Sequence, residues 1–205
     1  DIPAVKAFGE TFGLDVVETS LNLEGGEVLF NGEEVFVGAD VFERNRQLRG
    51  VDDAQVDREI RQIFGANVPI RKIEDPFGFH IDLSLTLLPN KTVLLADPQQ
   101  GLEAVEQAAP DQRWRFYRKL WRLGRPGEEN IPFEKTRQLA KAYQGRVEGL
   151  AAELKQAGYK VLRVPVVLTT EAGDRVHSLA NYNNVIFWGD KVLLPQFGLV
   201  SDEVA

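Results

Sequence analysis

His80 and Asp82 stand two residues apart in a segment, Phe79 to Leu87, whose apolar residues alternate. In an extended strand that spacing projects both side chains to one face, roughly 7 Å apart at the backbone. An imidazole and a carboxylate so placed serve general acid/base catalysis with cation binding, and they serve equally as metal ligands. A partly exposed strand with two polar residues explains the pair as well, Phe79, Ile81, Leu83 and Leu85 then being the buried face. Glu24 supplies another carboxylate, beside Gly25-Gly26 and followed by Glu27. Glycines permit close backbone approach and sharp curvature, so Glu24 either reaches a ligand, holds a histidine from elsewhere in the chain, or is the solvated end of a bulged strand. Ser178, Asn181, Asn183 and Asn184 add a hydroxyl and three amides able to hydrogen-bond a polar ligand or their own loop backbone.

These residues fall at matching places in a recurring pattern of strand, hairpin, strand, helix, strand. In the first copy Leu21 to Phe30 reads as a strand, Asn31-Gly32 as a type I′ turn, and Glu34 to Gly38 as the returning strand. Val51, Val56, Ile60 and Ile63/Phe64 then recur at helical spacing behind Asp52-Asp53, which suit a positive first turn; Gly65 ends the helix and Val68 to Ile73 closes the unit. The second copy runs from Phe79 through a turn at Pro89-Asn90-Lys91 to Thr92–Ala96. Its helix, Arg137 to Gln156, carries the apolar stripe Leu139, Tyr143, Val147, Leu150 and Leu154, and its closing strand is Tyr159 to Leu168. A third copy begins at Ser178 to Phe187, turns at Gly189-Asp190, returns as Lys191 to Leu194 and looks unfinished.

The expected organisation is one α/β domain over 1–205, with units at about 14–73, 77–168 and 176–205. The irregular piece is an insertion, 97–133. In it Trp114, Tyr117, Leu120 and Trp121 share one helical face while Arg115, Arg118 and Arg122 lie on another, fitting a lid, a partner surface or a nucleic-acid contact. First strands that carry polar residues, set around an axis, would aim them at a common centre.

Composition narrows the chemistry. Among 205 residues, 24 Lys and Arg against 31 Asp and Glu leave a formal charge of −7, which disfavours a general nucleic-acid binder. No apolar run reaches the roughly 20 residues that cross a bilayer, and the N-terminus lacks a signal-peptide layout, so a soluble protein is expected; the lack of cysteine fits the cytoplasm, and a cytoplasmic location is the expectation. There is no cysteine, so no disulfide, thiolate metal site or cysteine nucleophile lies within these residues. There is no methionine either, and the chain opens on Asp1, which suggests part of a longer translated protein. With His80 and His177 the only histidines, a zinc site lacks ligands, while carboxylates alone could still hold magnesium; no metal and no cofactor is expected. A Ser84-based triad lacks the Gly-x-Ser-x-Gly turn that would expose its serine.

The ordered set Leu23-Glu24-Gly25-Gly26-Glu27-Val28-Leu29, Phe79-His80-Ile81-Asp82, and Ser178-Leu179-Ala180-Asn181 running to Leu194-Pro195-Gln196-Phe197-Gly198 resembles the guanidino-group-modifying, or pentein, superfamily. Its members include arginine, agmatine and peptidylarginine deiminases, dimethylarginine dimethylaminohydrolase and the amidinotransferases. The resemblance implies an α/β propeller of repeated hairpin-helix-strand units, incomplete here, and a cysteine-dependent hydrolase of the guanidino group of arginine or a derivative. It makes His80 the general acid/base, Glu24 its partner and Asp82 the guanidinium anchor; Asn181, as an amide able to hydrogen-bond a polar ligand, is expected to bind substrate as well. The partner implied is a small-molecule or peptidyl arginine-type substrate; a homo-oligomer is compatible. The chain departs from the family in lacking the nucleophile and in showing some two and a half units where such folds close with five. The alternative reading is a non-catalytic pentein-fold protein that binds RNA or a protein through the Arg113 to Arg125 cluster.

Overall fold

The computed structural model describes residues 2–78, 80–121, 126, 129–170, 176–183, 185–188 and 191–199. A first helix, α1 (Ile2–Phe12), is followed by an extended stretch and a single 3-10 turn, Gly25–Glu27. The hairpin β1 (Val28–Phe30) and β2 (Val35–Gly38) leads into α2 (Ala39–Arg49), α3 (Asp53–Phe64) and β3 (Ile70–Ile73). β1 pairs antiparallel with β2, and β2 parallel with β3. After a one-turn helix, α4 (Ile81–Ser84), the order recurs: β4 (Leu85–Leu88) pairs antiparallel with β5 (Thr92–Asp97), and β5 parallel with β6 (Lys160–Thr170). Between β5 and β6 lie α5 (Pro98–Gln107), α6 (Pro110–Trp121) and α7 (Asn130–Gln156). β7 (Val176–Asn181) adds to β6, and β8 (Ile186–Trp188) pairs with β9 (Lys191–Leu193).

Three readings of the sequence change. Leu21 to Phe30 is not one strand, because Glu27 folds back on Glu24: its Oε2 accepts the Glu24 N–H at 2.7 Å, and its own N–H donates to the Glu24 carbonyl at 3.1 Å. Only Val28–Phe30 pairs as strand. Phe79 to Leu87 is likewise broken, with the Leu83 N–H donating to the His80 carbonyl at 3.0 Å and the strand starting at Leu85. The Asn31-Gly32 turn is not type I′, since Gly32 is at φ 91° but Asn31 is not at positive φ. Asn31 Oδ1 accepts from the Glu33 and Glu34 N–H groups instead, a side-chain turn. Positive φ at consecutive residues occurs in the second hairpin, at Asn90 and Lys91.

The segment 97–133 is also more regular than its sequence suggests. Asp97 caps α5 by accepting from the Gln99 and Gln100 N–H groups. Gly101 lies so close to the Val166 carbonyl of β6 that any side chain there would collide with backbone. In α6, Tyr117 is buried with its hydroxyl 2.8 Å from Thr136 Oγ1, and Trp121 Nε1 donates to Thr169 at 3.1 Å. The arginines face outward: Arg115 pairs with Asp111, and Arg118 covers the Trp114 ring. The aromatic face is therefore packing, and the RNA- or protein-binding reading gains nothing from it. Arg122 and Arg125 lie outside the described residues.

Three apolar clusters hold these layers. One joins α7 (Leu139, Val147, Leu150, Leu154) to β4–β6 (Leu85, Val93, Leu95, Val166), and Phe36, Ile73 and Phe77 extend it. A second packs α2 and α3 (Val41, Phe42, Val56, Ile60) on β2 (Val35, Val37). A third gathers Val105, Tyr117, Val167, Ala180 and Leu199. Among the described residues no helix is long and apolar enough to cross a membrane.

Candidate functional site

The site forms where two equivalent turns meet. Glu24 stands at the N-cap of the 3-10 turn before β1, and His80 at the N-cap of α4 before β4. Each carbonyl accepts from the N–H three residues on, Glu27 in one turn and Leu83 in the other. Gly26 and Asp82 are thus matching positions. A Cβ added to Gly26 would fall 2.5 Å from Asp82 Oδ1 and 2.6 Å from His80 Cβ, so only glycine admits the neighbouring turn. Gly25, whose added Cβ would meet nothing within 4 Å, carries no such demand.

Across this contact His80 Nε2 lies 2.7 Å from Glu24 Oε2. A carboxylate accepts, so in this contact Nε2 is the donor and Nδ1 is left for another partner. Both side chains are reachable from solvent, at 40% and 53% exposure. Asp82 is half-buried, and its Oδ1, which is shielded from solvent, has no hydrogen-bond partner among the described residues. Burial pushes its carboxyl above the ordinary value, and the nearby His80 opposes that only in part. The strand geometry expected for His80 and Asp82 is replaced by a turn, yet the turn still turns both toward Gly26.

Asn181 is buried and engaged at both ends: its Nδ2 donates to the Leu83 carbonyl at 2.8 Å, and its Oδ1 accepts the Asn183 N–H at 2.9 Å. Asn183 Nδ2 donates to the Ser84 carbonyl at 3.1 Å, and Thr86 Oγ1 donates to the Asn183 carbonyl at 2.6 Å. The segment after β7 is therefore pinned to α4. The side chain of Ser178, Asn184, and the Asp174 and Arg175 neighbours of His177 lie outside the described residues.

Sequence reasoning missed Arg44. It lies on α2, an element with too few apolar residues to announce itself. Its guanidinium pairs with Oε1 of Glu27, a carboxylate with no exposed surface, and stands 3.7 Å from Glu24 and 3.8 Å from Asp40. Burial raises the Glu27 carboxyl, but the Arg44 hydrogen bond, the Glu24 N–H and the Arg44 charge together outweigh it and hold the group below its ordinary range. Asp40 moves the other way, raised by burial and then by the charge of Glu27. The Glu-x-x-Glu spacing with an arginine 17 residues on was the available signal.

Ligand atoms of Glu24, Glu27 and His80 lie within 4.8 Å of one another, a geometry open to a metal ion. Arg44 already holds Glu27 there, so a resident cation occupies the position that a metal's charge would take. A separate cleft of about 440 Å³ is lined by Glu74, Asp75, Pro76, Arg146, Gly149, Leu150 and Glu153. Asp75 accepts the Ser84 hydroxyl, which ties that cleft to the end of α4.

By sequence the chain matches no protein family and no curated protein. Solved structures do match. The agmatine deiminase of C. jejuni is 20% identical with a TM-score of 0.57, over 98% of this chain and 50% of that one. The substrate-bound Cys-to-Ser form of that enzyme gives 20% and 0.58, over the same shares. A protein assigned as a peptidyl-arginine deiminase gives 11% and 0.61, over 98% of this chain and 53% of that one. This chain spans about half the length of the structures it matches. At these identities the likeness is one of fold: this chain has the fold of about half of each of those deiminase structures.

Proposed function

We propose that this chain carries the acid/base and cation-anchoring part of a site that hydrolyses the guanidino group of arginine or an arginine derivative. The observation that carries the reading is Asp82: a half-buried carboxylate with an unpartnered oxygen, beside the Glu24–His80 pair and across from Gly26. A guanidinium is planar and permanently charged, and presents N–H groups in a fixed fork, so the half-exposed Asp82 carboxylate would pair with it through the oxygen that faces solvent while Oδ1 stays against Gly26. Charge pairing would also relieve the burial that raises the Asp82 carboxyl. His80, held through Nε2 by Glu24, would release a proton from Nδ1 as ammonia departs and recover it from the attacking water. The nucleophile such chemistry uses in deiminases is a cysteine, and it would come from outside these 205 residues. Asn181 and Asn183, in this reading, keep α4 in place rather than touch substrate. The turns at 24–27, 80–84 and 181–183 would then surround one centre, as in an α/β propeller.

Isothermal titration of the 205-residue chain with agmatine, arginine and a peptidyl arginine tests the reading, with a neutral ureido analogue as control. Binding of at least one guanidino compound, no binding of the ureido analogue, and a loss of about tenfold to a hundredfold on Asp82→Asn are expected, the range of one charge-assisted hydrogen bond. Equal binding of the ureido analogue, or no binding of any guanidino compound, sinks it.

A further inference from the structure

Glu24 holds His80 with one oxygen, Oε2, and the backbone around it does not by itself fix that oxygen in place. Its side chain is half exposed, and a glutamate so placed has three rotatable bonds free. Two devices on α2 restrain it. Asn45, fully buried, grips the backbone two residues before Glu24: its Oδ1 accepts the Asn22 N–H at 2.6 Å and its Nδ2 donates to the Asn22 carbonyl at 2.9 Å. One turn-face away, Arg44 addresses side chains, binding Glu27 Oε1 with Nη2 while Nη1 stands 3.7 Å from Glu24 Oε1 and 3.8 Å from Asp40. Glu27 Oε2 in turn accepts the Glu24 N–H at 2.7 Å, so the backbone and the side chain of Glu24 are both referred to Arg44.

On the guanidino reading above, we propose that Arg44 is a positioning residue of this site: shared by Glu27, Glu24 and Asp40, its guanidinium aims the Glu24 carboxylate so that Oε2 stays on His80 Nε2. A planar fork can serve Glu27 and Glu24 from different nitrogens at once, whereas a lysine ammonium is a single point of charge. Arg44 also offsets part of the negative charge of three neighbouring carboxylates, which would otherwise repel one another and splay Glu24 away from the turn. The neighbours of the pair are thus Arg44, Asp40 and Glu27 from the first unit and Asp82 from α4.

The test reads His80 directly and needs no turnover. In the chain labelled with ¹⁵N-histidine, the Nε2–H signal is assigned by its loss in His80→Gln, and its exchange with water is measured in the wild type, in Arg44→Lys, and in the double variant Glu27→Gln/Arg44→Gln. The double variant removes the buried carboxylate together with its counter-charge, which keeps the fold from carrying an unpaired buried ion. Exchange is expected to quicken on the order of tenfold or more in the double variant and several-fold in Arg44→Lys, while the amide spectrum keeps its native dispersion. Protection equal to wild type in either folded variant overturns the proposal. Failure of wild type to bind any guanidino compound would instead remove the functional reading and leave the Nε2–H result standing, so the two failures are distinguishable.

Discussion

The turns at Glu24–Glu27 and His80–Ser84 start from the same backbone and end in opposite chemistry. Each has a residue of the site at its N-cap position, each closes with an N–H to carbonyl bond three residues long, and each feeds an antiparallel hairpin whose second strand pairs in parallel with a third. At the matching second position one turn has Gly26 and the other Asp82; at the next, one has fully buried Glu27 and the other half-buried Leu83. The first turn is charged, internally paired and clamped by Arg44. The second holds a carboxylate with one oxygen that no described residue satisfies. A site arises here because one copy of a repeated unit supplies space and support while the other supplies an unmet group.

The sharpest way to break the comparison is at the buried carboxylate. Glu27→Ala leaves the Arg44 guanidinium without its main partner and should cost about 3 kcal/mol or more in chemical denaturation, whereas Leu83→Ala at the matching position should cost about 1 kcal/mol. Next comes the glycine contact. Gly26→Ala drives a methyl into Asp82 and His80 and should cost about 1–3 kcal/mol together with guanidino binding, while Gly25→Ala should change neither.

Acid should act on the two turns in opposite directions. Glu27 has a folded value below its ordinary 4.5, so its stabilisation is complete above that pH and is lost as pH falls through the lower folded value. Asp82 has a folded value above its ordinary 3.8, so its charge costs stability at neutral pH, and that cost disappears as pH falls through the folded value. Amide exchange followed downward from neutral pH should show residues 25–28 losing protection before residues 81–85. The smallest effect sharpens the same point: Asp82→Asn should raise the free energy of unfolding slightly, by about 1 kcal/mol or less, while weakening guanidino binding about tenfold to a hundredfold. A drop in stability would mean that the Asp82 oxygen has a structural partner after all.

Much of this was legible in the sequence, and the reason is local. Apolar periodicity placed α3, α7 and the strand cores, because burial on one face leaves that signature whatever the partner. The residues Glu24, His80 and Asp82 could be singled out by type and by the glycines beside one of them. Their geometry could not. Both polar strands begin as helical turns, held in place by a Glu27 carboxylate that accepts the Glu24 N–H and by a Ser84 hydroxyl that reaches Asp75, and periodicity does not register such bonds. α2 was illegible because it buries only Val41, Phe42 and Asn45, and Arg44 with it, as its meaning lies in carboxylates distant along the chain. Asn181 was visible as a polar residue, but whether it faces a ligand or the backbone of Leu83 depends on a contact 98 residues away.

The most direct measurement is a crystal structure of the chain grown with a guanidino compound. The account predicts a planar guanidinium with a nitrogen within about 3.2 Å of an Asp82 carboxylate oxygen, beside the Glu24–His80 pair. A guanidinium found instead in the cleft of Glu74, Asp75 and Glu153, with neither Asp82 carboxylate oxygen paired to it, would contradict it.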